Sequence, residues 1–563
     1  MNNTAYKIAW FFVIVVLLVG LFLIPLFGFD APEYANIAAH MYFKNDWINI
    51  MNHNDQTGQI YDYLDKPHML FWSAMLGFKL FGVHDWTYRL FSVLLSFAGC
   101  YATFRLGKML YNINVGKVAS LIYITAQAII LANHDVKTDT LLTNFVVLGA
   151  WQLVDFVHRE KLSKVILGAA FLALGVGTKG MIAVLVAGCV LFFYLLGLRK
   201  WKMFYNWKWI IGVVAFFIAL SPFLYFYYLQ FDLHPEKYVN GGTGRSGIKF
   251  LLWSQSFERF AGERNFVMGS EFSFFFHSFI WAFLPWSIIA YIASFSRLAE
   301  LFRTRFQSFF TREQLTFTGT WAMFIIMSFS KFKLPHYINV LFPFFAIFTA
   351  AYLFQLANEG KQKALRSLLI VQYVIIAIAI LFLIALNYWA FPVTNLAITI
   401  IGLAGLMFLV YEIFKRKFST VDKIWYYSAL AILIFNFFMN ANFYPKIAQY
   451  NGGYVAAKEM KEKNIDAASL YRYDYMMRSF EWQIQKWRPI LHKEDVMQKV
   501  QNGDSVIVFT NKRKKDELQQ FFSVQPIISS PEYAISGLSL DFINPKTRPQ
   551  TLDSVFVLKV SKM

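Results

Sequence analysis

Apolar residues run along this chain in blocks too long for the helices of a soluble protein. Residues 8–27 form one such block, and about 20 residues at 1.5 Å each reach across the roughly 30 Å hydrocarbon core of a bilayer. Further blocks lie at 86–107, 118–133, 140–157, 164–177, 181–198, 209–229, 271–296, 315–330, 337–356, 367–389, 393–414 and 424–441. Together they predict a polytopic α-helical membrane protein with about 13 transmembrane helices. The stretch from 165 to 198 is interrupted only at Thr178-Lys179-Gly180. We read it as a hairpin with Lys179 at the outer face, because a single long helix would reverse the orientation of every later loop.

Loop charges fix that orientation. Lys108 and Lys117; Arg159, Lys161 and Lys164; Arg199, Lys200, Lys202 and Lys208; Arg297, Arg303, Arg305 and Arg312; Lys361, Lys363 and Arg366; and Lys415, Arg416, Lys417 and Lys423 all fall in alternate loops. Such loops stay cytoplasmic. The net charge of +19 is therefore an orientation signal rather than a nucleic-acid footprint, and nucleic acid is excluded as a partner. Hydrophobic residues make up 57% of the chain and charged ones 15%, which excludes a soluble enzyme. Cys100 and Cys189 lie inside blocks and staple nothing outside the membrane. The first block has no small-residue cleavage site behind it and reads as a signal anchor.

With an odd number of spans, the C-terminus lies outside. From about residue 444 the pattern changes: Asn451-Gly452-Gly453 punctuates the chain, short β-rich runs at 469–473 and 505–509 alternate with helical stretches at 494–500 and 515–522, and together they read as an α/β domain. The expected organisation is a transmembrane domain over 1–443, with interfacial helices inside 28–85 and a large external loop at 230–270, followed by an extracytoplasmic α/β domain over 444–563.

Polar chemistry gathers behind the first span, where Asp30, Glu33, Asp65 and Lys66 sit at a membrane face. Asp30-Ala31-Pro32-Glu33 has capping-box spacing and opens the amphipathic run 34–43, while Lys66-Pro67 opens a second run over 69–81, both suited to lying in the interface. Residue types alone leave two roles open for each charge. Asp30 is a helix cap or a catalytic carboxylate, and Lys66 is a snorkelling side chain or a phosphate contact.

The runs FDAPEYANIAAHMY, YDYLDKPHMLFW and SFSKFKLPHYINVLFP resemble the integral-membrane glycosyltransferases of the GT-C class. Among these they are most similar to the bacterial lipid A aminoarabinose transferases and more distantly similar to the protein O-mannosyltransferases. The resemblance implies a multi-pass protein of the bacterial inner membrane that takes a sugar from a polyprenyl-phosphate carrier and passes it to an acceptor at the outer face: lipid A, another glycolipid, a glycan or a protein. It implies that Asp30 is the catalytic carboxylate and that Asp139, in KTDTLL, is a second aspartate near the cavity. Tyr63, Lys66, Tyr337 and, by a looser match, Arg259 in WSQSFERF would contact the carrier phosphate, with Lys333 of the KFKLPHY run counted among them. Displacing a phosphate needs a base for the incoming nucleophile and cations for the charge left behind, which suits these residue types. A single displacement would invert the anomeric carbon.

The sequence also departs from its relatives. Ala31 and Glu33 stand where the aminoarabinose transferases have an acidic residue and often an arginine, so the sugar is left open. Relatives can hold a divalent metal through a loop carboxylate and a histidine; Asp65 would supply the carboxylate, but Ser256 stands at the histidine position. His134 and Asp135 read as loop structure, and the glycine-rich run 240–245 as a flap over the cavity. The alternative class is a transporter or lipid flippase, which would place ionisable residues at the bilayer midplane and repeat its halves.

Overall fold

A computed structural model describes residues 1–54, 57–262, 271–501, 503, 505–535 and 537–563; the last part of the expected external loop, 263–270, lies outside them. Helix α1 (Asn3–Leu23) starts where the Asn2 side chain accepts the Ala5 N–H at 3.0 Å. Its buried residues Ala5, Ala9, Val13, Val16 and Gly20 recur every three or four positions and pack against the helix Thr420–Phe438, while Phe11, Leu18 and Phe22 stay exposed, as lipid contact requires.

Among the described residues, nine helices are long and apolar enough to cross a membrane. They match nine of the expected spans, and the other four correspond to shorter or interrupted helices. The block 118–133 divides into α5 (Ile113–Thr125) and α6 (Gln127–Ala132), because Ala126 is extended and Gln127 gives its N–H to the Leu284 carbonyl. The block 271–296 divides into Phe274–Ala282 and Ser287–Arg303. Helices α8 (Leu162–Lys179) and α9 (Ile182–Gly197) form the hairpin, turning at Gly180 with φ +79°, a conformation that suits glycine.

Outside the spans, the chain behind α1 forms α2 (Asp30–Lys44), an antiparallel pair β1 (Met51–His53) and β2 (Ile60–Asp62), α3 (Met69–Phe81) and then α4 (Asp85–Leu110). The capping box expected at Asp30 is absent. Phe29, already helical at φ −108° and ψ −62°, takes the cap position without a side-chain bond, and Asp30 is the first helical residue. The cause is competition: both carboxylates of the motif are drawn to cations outside the helix, Asp30 to Lys137 and Glu33 to Arg478.

The helix that begins at Thr420 runs on to Ala448, past the expected boundary at 443. Beyond it, β3 (Leu470–Tyr473), β4 (Ile490–Leu491), β5 (Val506–Asn511), β6 (Ser523–Glu532) and β7 (Asp553–Ser561) form a sheet in the order β4-β3-β5-β7-β6. β3 is parallel to β4 and β5, whereas β7 is antiparallel to β5 and β6. One face buries Val508, Leu558 and Val560 under Val496 and Leu518; the other buries Phe509 and Val557 under Ala456 and Met460. Period-2 alternation on β5 and β7 produces these two small cores.

Candidate active site

Several helix ends converge on one cavity. The start of α2, the start of α7 (Thr138–Arg159) and the loops before α3 and after Phe332 enclose a cavity of 490 Å³ lined by carboxylates, cations and tyrosine hydroxyls. Asp30, Tyr63, Asp65, Lys66, Asp139, Arg259 and Tyr337 all line it. Residues separated by more than 300 positions in sequence therefore share one chamber.

Each of its three aspartates faces a cation. Asp65 meets Lys66 Nζ at 2.6 Å, pairs with Arg259, and accepts the Tyr63 hydroxyl at 3.2 Å. Burial would raise the Asp65 carboxyl, but Lys66 and Arg259 outweigh it and hold the group well below the usual carboxylate range. Burial and then Asp65 raise the Tyr63 hydroxyl, so it is a neutral donor. Arg259 also bonds Tyr337. Asp30 Oδ2 lies 2.9 Å from Lys137 Nζ, which also reaches Asp135 at 3.4 Å. The two carboxylates raise the Lys137 ammonium against its burial. Asp139 meets Lys179 Nζ at 2.5 Å and His336 Nε2 at 3.5 Å, and Lys179 lies 3.9 Å over the Tyr337 ring.

Lys137, Lys179 and His336 belong to the cavity although the sequence pattern assigns them no chemistry. Lys137 and His336 lie inside the quoted motifs, as the first residue of KTDTLL and the residue before Tyr337, and Lys179 fills the turn of an otherwise apolar hairpin; an intramembrane-edge lysine with no nearby acid in sequence is the available signal. Lys333 is not brought in: its Nζ donates to the Glu271 carbonyl at 2.9 Å, while its neighbours Phe332 and Leu334 line the cavity. In the run 240–245, Asn240 lines the cavity and its Nδ2 donates to the Leu64 carbonyl at 2.7 Å. His134 is buried against Tyr444 at 4.7 Å, a packing role.

A metal does not fit the residues present. Both Asp65 oxygens are engaged by cations, the Ser256 hydroxyl accepts the Ile182 N–H at 3.2 Å, and no cluster of three potential ligands occurs among the described residues.

Beside the polar cavity lies a second one of 260 Å³, which shares Asp139, Lys179, Arg259, Phe332 and Tyr337 with the first. Its remaining walls are mostly apolar, including Leu142, Ile182, Leu185, Phe275, Met323 and Ile326. A charged chamber thus shares a wall with a largely apolar cavity.

Comparison with known proteins gives the same picture. Residues 65–226 match the family model for dolichyl-phosphate-mannose-protein mannosyltransferase. An uncharacterised protein of Aquifex aeolicus is 26% identical over 71% of this chain and 71% of its own. The undecaprenyl phosphate-α-4-amino-4-deoxy-L-arabinose arabinosyl transferase of Edwardsiella ictaluri is 25% identical over 64% of this chain, an alignment spanning 62% of that relative's length. The crystal structure of ArnT from Cupriavidus metallidurans bound to undecaprenyl phosphate superposes with a TM-score of 0.72, covering 99% of this chain and 98% of that one at 17% identity. The chain has the GT-C glycosyltransferase fold. These comparisons lend no support to the transporter alternative.

Proposed function

We propose that the protein transfers a sugar from a polyprenyl-phosphate carrier to an acceptor at the outer face of the inner membrane. The observation that carries this reading is the wall that the two cavities share: Lys66 and Arg259 line the polar chamber, and Arg259 and Tyr337 also line the neighbouring apolar cavity. A phosphate on an isoprenoid tail needs both environments side by side. Lys66, Arg259, Tyr63 and Tyr337 hold the phosphate, and the tail lies in the apolar cavity. Asp30 takes the proton from the acceptor as its oxygen or nitrogen attacks the anomeric carbon. The bond from that carbon to the phosphate oxygen breaks with inversion, and the cations stabilise the negative charge left on the phosphate. Asp139, held by Lys179 and His336, fixes the wall shared by the two cavities. The acceptor is a lipid, glycan or protein group that reaches Asp30 from the water side.

Mass spectrometry of envelope lipids, glycans and glycoproteins from cells with and without the protein tests this proposal. The expected result is loss of one sugar-sized mass increment from one acceptor class. Identical profiles, with the polyprenyl-phosphate sugar present in both strains, would overturn it.

The same reading places the cavity and the C-terminal sheet domain outside the cytoplasm, since the basic loops stay inside. Single cysteines at Thr57 and Glu462, both exposed, should react with a membrane-impermeant maleimide in cells whose outer membrane alone is opened, and one at Lys417 should not. The opposite labelling pattern would reverse the orientation.

A further inference from the structure

The first turn of α2 carries Asp30, yet no side chain caps it. Helix starts leave backbone N–H groups without partners and fray unless something holds them. A carboxylate on a loose turn is poorly placed for proton transfer, where errors of about 1 Å cost up to about 10²-fold in rate. Here the turn is held from outside. Glu33, one turn beyond Asp30, accepts Asn52 Nδ2 at 2.8 Å on one oxygen and pairs with Arg478 through the other. The Arg478 guanidinium lies 4.2 Å over the ring of Phe29, and the Arg478 carbonyl accepts Asn36 Nδ2 at 2.8 Å. One residue of the C-terminal domain thus grips α2 just before its start, in its first turn and in its second.

The helix that presents Arg478 (Arg478–Ile484) is itself pinned. The buried Glu481 meets His53 Nε2 at 2.9 Å and Arg472 Nε at 3.3 Å. Trp482 Nε1 donates to Asp85 Oδ1 at 2.5 Å, and Gln485 Nε2 donates to the Val83 carbonyl at 3.0 Å. These contacts reach β1 and the start of α4, so Arg478 is delivered from a fixed base. Burial pulls its guanidinium down to about 10 against the charges of Asp30 and Glu481, which puts Asp30 within its electrostatic reach.

Resting on the reading of Asp30 as the catalytic carboxylate, we propose that Arg478 is a positioning residue of the active site. By gripping Glu33 and covering Phe29 it holds the first turn of α2, and hence Asp30, in place beside Lys137. The C-terminal domain is then a working part of the catalytic centre.

Arg478→Met, the charge swap Glu33→Arg with Arg478→Glu, and Asp30→Asn would be compared with the wild type in detergent for sugar transfer from a polyprenyl-phosphate donor and for thermal unfolding. Arg478→Met should lower kcat about 10- to 10²-fold with donor KM nearly unchanged, because the phosphate contacts lie elsewhere in the cavity. The swap should restore most of the loss. A folded Arg478→Met protein with wild-type kcat, a change in KM alone, or a swap no better than Arg478→Met would overturn the proposal. Should Arg478→Met fail to fold, Arg478→Lys takes its place, keeping the charge without the planar fork; it too should lose kcat and spare KM, and an unchanged kcat would be equally fatal. Asp30→Asn separates the two levels. An inactive Asp30→Asn beside a fully active Arg478→Met removes this inference alone, whereas an active Asp30→Asn removes the reading on which it rests.

Discussion

Asp30→Asn should fold as well as the wild type and transfer sugar about 10²- to 10⁴-fold more slowly, the range by which a missing general base lowers turnover. Folding is spared because Asp30 caps nothing: the cap position belongs to Phe29, which makes no side-chain bond. The substitution breaks the ion pair with Lys137, which still has Asp135 at 3.4 Å, and a partly exposed pair contributes only about 0–1 kcal/mol. Asparagine keeps the size and one acceptor oxygen of aspartate but cannot take up the proton. Turnover and thermal unfolding of both proteins, measured side by side, separate stability from chemistry. Near-wild-type transfer by a folded Asp30→Asn protein would move the base to Asp139, although that carboxylate is already bound by Lys179 at 2.5 Å.

Lys66→Ala should lower kcat/KM for the polyprenyl-phosphate donor by about 10²- to 10³-fold, the loss typical of one charge-stabilising donor in a closed site. The ammonium is buried, lines the polar cavity and sits 2.6 Å from Asp65, surroundings that favour the phosphate contact over snorkelling. Alanine removes the charge and leaves Asp65 to Arg259 and the Tyr63 hydroxyl. Lys66→Arg keeps the charge with a different reach and should retain more activity than Lys66→Ala. Donor binding and single-turnover rates for the three proteins decide the matter. Equal values for Lys66→Ala and wild type would remove Lys66 from the phosphate site.

Much of this arrangement is legible in the sequence because membranes impose simple rules. Runs of apolar residues mark the helices long enough to cross a membrane. Local periodicity locates α2 and α3 within a few residues. The sequence is opaque where a distant partner decides the outcome. Asp30 and Glu33 have the spacing of a capping box, yet Lys137 and Arg478 attract both carboxylates, and nothing local announces a cation more than 400 positions away. The same holds for Lys179, which looks like a hairpin turn until Asp139 is brought beside it. Strand β6, which contains Pro526 and Pro531, has no counterpart among the expected β-rich runs; it is an edge strand with a bulge between Pro526 and Ile528, where proline is tolerated. Around Lys333 one residue decides which side chains line the chamber: Phe332 and Leu334 do, while the Lys333 ammonium donates to the Glu271 carbonyl.

Asp65 bears on selectivity. Its carboxylate already occupies the two cations on which the carrier phosphate is proposed to dock, so the resting chamber is electrically quenched. A bare anion from the surroundings, such as inorganic phosphate, would have to share those donors with a resident negative charge and would gain little by binding. A phosphate attached to an isoprenoid brings its own driving force, because each buried CH₂ adds about 0.8 kcal/mol in the apolar cavity next door. On the proposed function, tail and headgroup act as two keys turned together, and soluble phosphates, which carry only one, should bind poorly.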